Sequence, residues 1–507
     1  MKNPFIFFKP VNSIEKELHN LKNKPPEYWE RKGKKKVLDL YKFVHSTVPA
    51  YKKFLKQHGI KGDKIESIGN FQSLPAVDKK NYLRKFNYPE LFPKNKFFSA
   101  TTYSATSGST GEPFYFPRGE EQDAEYQYMA EVFLKDQFEI GKKKTLGIMG
   151  FALGIWIGGV FTYKAFNKVS ASGYDFTLIP TGTNKDQFLG ALKKFGHLYD
   201  QVILMGYPPF IKDVLDSAGE AGVKLEDYSI KILTAAEGFS EKFRDYIADK
   251  AKLKNSLRDV INMYGTVELG TMAHETQFAN LIRNIASRNE DFFKTLFPNA
   301  TNMPTLAQYY PHLHYFEEVN GELIVSGYGS LIPLIRYKTS DLGGVIAFND
   351  MLDKIKNSGI NLKEEMKKHK ISTNMLKLPF VYLYTRSDFA VVFRGANIYP
   401  EEVRGAIDDK LLGEFVTGKF TIVRKEDEKL NQILEINVEL KKDVGKSDHI
   451  HKLILNHLVS SLRKNNSEFN NEYLSDSKKA CPNIVLWDYQ DQLYFSGGRK
   501  QKWVENK

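Results

Sequence analysis

The sequence predicts an α/β fold with a large N-terminal domain, which includes a small β subdomain, and a small α+β domain at the C-terminal end. Short β-rich runs alternate with amphipathic stretches between residues 145 and 263. After Asp388 the pattern changes to strands and helices of another unit. Hydrophobic residues make up 42% of the 507-residue chain, which supplies enough apolar surface for a large core. We therefore expect two domains, 1–387 and 388–507, and a helical lead-in over about residues 1–95.

The individual elements follow from hydrophobic spacing. Apolar positions between 28 and 44 recur at helical spacing, and Pro49 interrupts that pattern because proline disfavours helix at the preceding residue. Buried strands are predicted at 145–149, 176–179, 201–205, 230–234 and 260–263, and helices at 186–195, 209–218 and 240–252. Strands of the small β subdomain are predicted at 322–326 and 345–348, and the Lys-rich stretch 350–374 as a surface insertion or exposed helix. The C-terminal domain is predicted to contain strands 390–393, 419–424 and 433–439 and helices 400–412 and 449–463.

Charge and cysteine content exclude several classes of protein. The net charge is +12, but acidic residues separate the lysine runs and no nucleic-acid-binding motif is present, so we expect no nucleic-acid partner. A single cysteine, Cys481, excludes a disulfide framework, a Cys-rich zinc site and an iron–sulfur cluster. This usage is typical of a reducing compartment, and we expect a cytoplasmic protein.

Residues 145–163 carry no charge and approach the length of a membrane span. Five glycines interrupt the segment, and each weakens a helix by about 1 kcal/mol relative to alanine. We therefore predict a buried strand, a turn and the start of a helix, and no membrane span. The glycines are Gly147, Gly150, Gly154, Gly158 and Gly159.

A loop rich in glycine and hydroxyl groups is the strongest local signal. Residues 103–113 read Tyr-Ser-Ala-Thr-Ser-Gly-Ser-Thr-Gly-Glu-Pro. Glycine allows a close backbone approach to a phosphate, and exposed N–H groups together with hydroxyls can bind an anion. The loop lacks the Gly-Lys-Ser/Thr ending of a P-loop. An ordinary turn rich in Ser and Gly is the alternative.

Four further motifs follow in order, and together with the loop they resemble the adenylate-forming superfamily of acyl-CoA synthetases, luciferases and adenylation domains. Residues 263–268 (Met-Tyr-Gly-Thr-Val-Glu) are similar to its Y-G-x-T-E motif, and residues 336–342 (Arg-Tyr-Lys-Thr-Ser-Asp-Leu) to R-Y-R-T-G-D-L. Residues 232–237 resemble the strand end near the adenine, and 385–388 followed by 394–400 resemble the hinge motif. The ending R-G-x-N-I-Y-P, with Leu-Pro-Ala-Val-Asp-Lys at 74–79, is similar to phenylacetate–CoA ligases in particular.

The resemblance implies a large adenylation domain and a small mobile C-terminal lid domain that together run a two-step reaction. A carboxylate attacks the α-phosphate of ATP to give acyl-AMP and pyrophosphate, and a second nucleophile then takes the acyl group. Such chemistry depends on positioning and on electrostatic stabilisation of a polyanion. ATP and Mg²⁺ are the implied cofactors, and coenzyme A is the implied acyl acceptor.

The resemblance also assigns roles to residues. The β- and γ-phosphates would be held by Ser107, Gly108, Ser109, Thr110 and Gly111. Glu268 would bind Mg²⁺, with Thr266 near a phosphate. Ala236, Glu237, Tyr264 and Gly265 would lie at the adenine, where the Tyr264 ring would stack. Asp341 would accept hydrogen bonds from the ribose hydroxyls, and Arg386 would reach ribose or phosphate.

Two further roles belong to the implied lid domain. Asp388 would be the hinge that lets the small domain serve each half-reaction in turn. Lys500, on the Gly-flanked tail at 495–503, would be the catalytic lysine. Family spacing allows Arg499 at that position, and Lys502 also stays open.

The sequence departs from the family pattern in three places. Val267 stands where the family has Thr before Glu, so that the hydroxyl, on Thr266, lies one position earlier. Phe114 follows the loop where many relatives carry Lys. The Cys-rich zinc site of some relatives is impossible here, and His274, Glu275, His312 and His314 lack the spacing of metal ligands.

The substrates are the least determined part of the prediction. Aromatic residues at 151, 156, 161, 207 and 210 would line a slot for an aryl or other apolar acid, or belong to the core. The acceptor is coenzyme A on the closest resemblance, with an amine or a carrier-protein thiol as alternatives. A nucleotide-binding protein without catalysis is a further alternative, and a homodimer is left open.

Overall fold

A computed structural model describes residues 7–8, 10–62, 65–106, 113–300, 303–386, 390–407, 409, 411–491, 493–495 and 504–506. The chain separates into two compact units. The first comprises Met1–Ser104 and Tyr115–Thr385, and the second comprises Ala105–Phe114 and Arg386–Lys507. Residues 387–389, where the domain boundary is predicted, lie outside the described residues.

The lead-in is helical, as predicted. Ser13 caps the first helix with its side chain, and prolines open the next two, where a missing N–H costs nothing. The apolar stripe of the second helix is buried, and Pro49 starts a new helix. These helices are α1 Ile14–Asn23, α2 Pro26–Thr47, α3 Pro49–Gln57 and α4 Ile68–Gln72. A π-helical turn, Lys79–Leu83, and two 3₁₀ turns, Tyr88–Leu91 and Phe97–Ser99, follow.

A parallel sheet forms the centre of the first unit. A two-stranded ribbon, β1 Thr102–Ala105 and β2 Tyr115–Arg118, precedes it. The parallel strands are β3 Thr145–Met149, β4 Phe176–Pro180, β5 Gln201–Gly206, β6 Ile230–Thr234 and β7 Val260–Thr266, in the order β4-β3-β5-β6-β7. The helices around them are α5 Glu120–Gln137, α6 Thr162–Ser170, α7 Lys185–Phe195, α8 Pro208–Ser217, α9 Glu241–Lys250 and α10 Ser256–Asp259. Short turns lie at Ile157–Phe161, Gly196–Leu198 and Leu225–Asp227.

The strands expected in a smaller β subdomain extend this sheet. From β7 the hydrogen-bonded order continues β8-β9-β13-β12-β11-β10, which makes eleven strands among the described residues. These strands are β8 Gly270–His274, β9 Thr305–Tyr309, β10 His314–Val319, β11 Glu322–Gly327, β12 Leu334–Ile346 and β13 Phe380–Arg386. The helices of this region are α11 Gln277–Ala286, α12 Glu290–Leu296, α13 Phe348–Asn357 and α14 Leu362–Lys368.

The second unit has its own apolar core. Strands β16 and β17 pair antiparallel, and β18 and β19 add to their outer edges in parallel. Alternating residues of β17 and the buried stripe of the long helix after it form the core. The elements are β14 Val391–Phe393, β15 Ala396–Ile398, α15 Pro400–Ile407, β16 Val416–Glu426, β17 Gln432–Leu440, α16 Asp448–Asn465, α17 Ser467–Ser475, α18 Ser477–Ala480, β18 Asn483–Trp487 and β19 Val504–Asn506.

The uncharged segment 145–163 folds as predicted, into a buried strand, a turn and the start of α6. Within the described part of the chain, no helix combines the length and the hydropathy that crossing a bilayer requires. Burial of β3 along its whole length accounts for the lack of charge at 145–149.

Two predictions about 345–374 are wrong. The strand expected at 345–348 ends at Ile346, and Phe348 starts a helix instead. The expected surface insertion contributes to the core, because Met351, Ile355 and Met366 are buried against the phenylalanines of α11 and β13. The contact with the core is made by isolated apolar residues, which recur at helical spacing within a lysine-rich stretch.

Replacement of Ile355 by alanine tests that contact. We expect the Ile355→Ala variant to lower the free energy of unfolding by about 2–4 kcal/mol, because a fully buried side chain leaves a cavity. Exposed Lys356, the next residue, provides the control, and Lys356→Ala should change stability by less than about 0.5 kcal/mol. Urea unfolding measures both, and equal values would show that α13 does not pack as described.

Candidate active site

The carboxyl ends of the parallel strands gather several predicted site residues. In open α/β sheets, ligands bind in the crevice beyond these ends. Ala236 and Glu237 follow β6, while Tyr264 and Gly265 lie in β7 and Glu268 just beyond it. The predicted phosphate loop lies outside the described residues. In the sequence it stands between β1 and β2, and the Phe114 N–H donates to the side-chain hydroxyl oxygen of Thr106 at 3.1 Å.

Two motifs far apart in sequence meet at this edge. The Tyr264 hydroxyl donates to Asp341 Oδ2 at 2.5 Å, and both side chains are buried. The Tyr337 hydroxyl donates to Glu268 Oε1 at 3.1 Å. Residues 263–268 and 336–342, predicted to serve one nucleotide, are therefore joined at two points.

Glu268 also receives a cation that the sequence did not assign to the site. Lys79 Nζ lies 3.0 Å from Glu268 Oε1, and the carboxylate is only 6% exposed. Lys79 reaches it because Val77 pairs with Tyr337, donating to Arg336 O at 3.0 Å and accepting from Lys338 N at 2.9 Å. In the sequence, the stretch 74–79 shows only a likeness to a family, and nothing in it indicates that Lys79 pairs with Glu268.

Backbone strain marks the turn after β6. Ala236 has φ of +80°, a conformation that costs an L-residue with a side chain about 1–2 kcal/mol. Asn262 holds the turn, since its Nδ2 donates to Glu237 O at 3.0 Å while its Oδ1 accepts from the Thr234 hydroxyl at 3.0 Å. Strain that neighbouring bonds maintain is common where a backbone must meet a ligand.

A buried network of four charges lies beneath that turn. Glu275 accepts from Arg244 Nη2 at 2.9 Å and from Arg283 Nη1, and its other oxygen accepts from Asn262 N at 2.9 Å. Glu241 pairs with both arginines. Arg283 Nη2 also donates to Phe239 O at 2.6 Å. Because each charge is paired, burial is tolerated and the segment 237–239 is fixed at both ends.

The conformation of β12 gives Asp341 its direction. Ser340 has φ of +66°, and the pairing of β11 with β12 shifts register between the Glu322 and Ile324 positions. Such a bulge redirects a side chain out of the regular alternation. Ser340 occupies the glycine position of the R-Y-R-T-G-D-L motif, where positive φ is easiest for glycine.

The remaining predicted residues are partly described. Thr266 Oγ1 accepts from Leu269 N at 3.2 Å, which leaves its own proton to donate. At Gly265 a Cβ would lie 2.6 Å from Gly270 O, so glycine is required there. Arg386 ends β13, and nothing of its side chain is described. Asp388, Arg499, Lys500 and Lys502 lie outside the described residues, and their roles stay predictions.

The hinge-like motif at 394–400 forms a hairpin and a helix start. Arg394 and Gly395 both have positive φ at the turn between β14 and β15, and Pro400 opens α15. Asn397 O accepts from Asn466 Nδ2 at 2.8 Å. The motif is thus held within the second unit.

The aromatic residues proposed for an acid slot are mostly core. Phe210 packs at 5.5 Å from the Phe188 ring, and a Cβ on Gly150 would lie 2.2 Å from it. Phe161 lies 4.9 Å from the Tyr126 ring. Phe151 and Tyr207 are buried, and Trp156 is half-buried in a turn whose Leu153 and Ile155 are each 45% exposed.

The histidines are also packed in the interior. His274 Nε2 lies 2.8 Å from the Tyr310 hydroxyl, and burial lowers its pKa to about 4. Burial likewise lowers the pKa of His314 to about 4. Among the described residues, no group of three or more His, Cys, Asp or Glu side chains is placed to hold a metal ion.

Comparison with known proteins rests on the fold. No family model matches the chain, and a search of curated proteins finds no match. A solved 2-hydroxyisobutyryl-CoA ligase, in complex with 2-HIB-AMP and CoA in the thioesterification state, is similar at 13% identity and a TM-score of 0.67, over 99% of this chain and 94% of that one. An open conformation of that ligase, also with 2-HIB-AMP and CoA, gives a TM-score of 0.54 at 13% identity, over 99% and 96%. The chain therefore shares the fold of this ligase, and the expected fold class is confirmed.

The strain at Ala236 gives a stability prediction. We expect Ala236→Gly to raise the free energy of unfolding by about 0.5–1 kcal/mol, because relief of positive-φ strain exceeds the added backbone entropy of glycine. Ala235, whose φ is not positive, provides the matched control, and Ala235→Gly should lower stability by about 0.5–1 kcal/mol. Urea unfolding of both variants measures the difference in sign, and two losses would contradict the strain.

Proposed function

We propose that the protein activates a carboxylic acid with ATP. The carboxylate oxygen attacks the α-phosphorus, acyl-AMP forms and pyrophosphate leaves. The acyl group then passes to a thiol, that of coenzyme A, with release of AMP. The observation that carries the proposal is the double link between motifs 263–268 and 336–342, through Tyr264 with Asp341 and Tyr337 with Glu268.

The described residues support a nucleotide site at this edge. Asp341 is a buried acceptor that already accepts a hydrogen bond from Tyr264, and an ionised carboxylate of this kind could also accept from ribose hydroxyls. The strained turn at Ala236 and Glu237 would provide backbone for the adenine, and the Tyr264 ring would provide a face for stacking. Gly265 allows close approach because it lacks a side chain.

The donor set fits a magnesium ion. Mg²⁺ is commonly held by one or two carboxylates together with substrate phosphates, and Glu268 supplies one carboxylate at the end of β7. Glu268 would hold the ion, and a bound Mg²⁺ would supply positive charge to neutralise the phosphates. Thr266 would donate its hydroxyl proton to a phosphate oxygen.

Positive charge to balance the phosphates would come from three side chains. Lys79 already lies at Glu268 and would contact phosphate, in a chain that has Phe114 where many relatives have Lys. Lys500 on the tail would hold the carboxylate and α-phosphate, with Arg499 and Lys502 as alternatives, and Arg386 would reach the ribose or phosphate. Ser107, Gly108, Ser109, Thr110 and Gly111 would bind the β- and γ-phosphates through backbone N–H groups and hydroxyls.

We propose that the acid is aryl or otherwise apolar, and that the protein acts in the cytoplasm. The half-exposed apolar turn around Leu153 and Ile155 at the carboxyl end of β3 supports an apolar acid. The fold likeness to a ligase solved with an acyl-AMP and CoA supports the thiol acceptor. Asp388 would allow the small domain to serve both half-reactions.

Pyrophosphate exchange tests the first half-reaction. We expect acid-dependent exchange of labelled pyrophosphate into ATP with a panel of aryl and aliphatic acids, reduced at least about 100-fold in Glu268→Gln because the metal carboxylate is lost. Glu290 is exposed on α12, so Glu290→Gln should retain full exchange. ATP binding without exchange for any acid would indicate a nucleotide-binding protein without catalysis.

The acceptor is identified in a second assay. With the best acid, we expect coenzyme A to raise AMP release at least about tenfold and to give the acyl-CoA thioester, detected by mass spectrometry. Simple amines and hydroxylamine are the comparison, because hydroxylamine traps any acyl-AMP. Faster turnover with an amine than with coenzyme A would assign an amide-forming synthetase instead.

A further inference from the structure

Arg118 ends β2, the strand that leaves the predicted phosphate loop. Its residue is 0% exposed, and its guanidinium donates to two backbone carbonyls, Val267 O and Gly329 O. The guanidinium also lies 5.0 Å from the Phe161 ring. One side chain therefore connects β2, the turn that bears Glu268 and the segment after β11.

This arrangement is unusual for a buried cation. Buried arginines normally pair with a carboxylate, as Arg244 and Arg283 do here, whereas Arg118 makes no ion pair within 4 Å among the described residues. Burial lowers the pKa of Arg118 to about 10, although Glu268 and Asp123 favour the charged form through space. Bonds to neutral carbonyls do not by themselves account for a cation at this position.

One acceptor, Val267 O, belongs to the Glu268 turn itself, and the other, Gly329 O, belongs to a segment packed against that turn. A Cβ on Gly329 would lie 1.8 Å from Leu269 O, so the segment around Gly329 rests directly on the turn. Leu331 N donates to Pro117 O at 3.1 Å, which ties the same segment to β2. Arg118 thus holds residues 267–269 directly at Val267 and indirectly through Gly329, while Thr266 Oγ1 accepts from Leu269 N inside the turn.

We propose that Arg118 is a positioning residue that fixes the backbone of residues 267–269, so that Glu268 meets the divalent cation of bound ATP. The inference rests on the proposed function. The planar guanidinium suits this role, because its N–H groups can bond two carbonyls at once. A lysine ammonium does not have that geometry.

The test measures ATP binding by calorimetry, once with Mg²⁺ and once with EDTA. For the wild type we expect tighter binding with Mg²⁺. For Arg118→Met we expect that enhancement to fall at least about tenfold, with binding in EDTA changed less than about threefold. The Mg²⁺ enhancement of Arg118→Lys should lie between those of the wild type and Arg118→Met. Arg118→Lys serves as the test variant if Arg118→Met does not fold.

Lys231→Met is the matched control, since Lys231 is a buried cation near the amino end of β6, 2.6 Å from Asp259. It should lower the unfolding temperature but leave the Mg²⁺ enhancement at the wild-type value. A folded Arg118 variant with the wild-type enhancement overturns the inference while the proposed function stands. A wild type that shows neither acid-dependent exchange nor Mg²⁺-enhanced ATP binding overturns both.

Discussion

Burial of the Glu268 carboxylate is the constraint on which the candidate site depends. An ionised carboxylate with little solvent contact needs donors, and its donors here come from distant parts of the chain: Lys79 from the lead-in and Tyr337 from β12. To supply them, the lead-in pairs with β12 through Val77. The geometry of one acidic side chain therefore determines how three regions of the first unit meet.

Backbone strain is concentrated in the segments that form the candidate site. Ala236, Arg336 and Ser340 all have positive φ although none is glycine. Neighbouring bonds hold two of these positions: Asn262 fixes the turn at Ala236, and Arg336 N donates to Ser326 Oγ at 2.8 Å. Strain of this kind survives where a rigid scaffold maintains it, and it presents backbone and side chains to a ligand without further reorganisation.

Sequence reasoning located the buried parallel strands well, because a short, continuous apolar run bounded by turns has few other interpretations. It failed at 345–374, where Phe348, Met351 and Ile355 form a helical stripe hidden among lysines. The motifs predicted which segments form the candidate site, and the structure brings two of them, 263–268 and 336–342, together. They did not predict a role for Lys79, Asn262 or Arg118, because contacts between residues so distant in sequence are set by tertiary packing.

The displaced hydroxyl of the 263–268 motif has a physical explanation in this setting. Val267 contributes its carbonyl to Arg118, and its side chain takes no part in that bond, so the position tolerates an apolar residue. Thr266, one residue earlier, accepts from Leu269 N and keeps its own proton to donate. A hydroxyl that shapes the turn, and that we propose faces the nucleotide, needs the turn to be held from outside, and the guanidinium of Arg118 supplies that support.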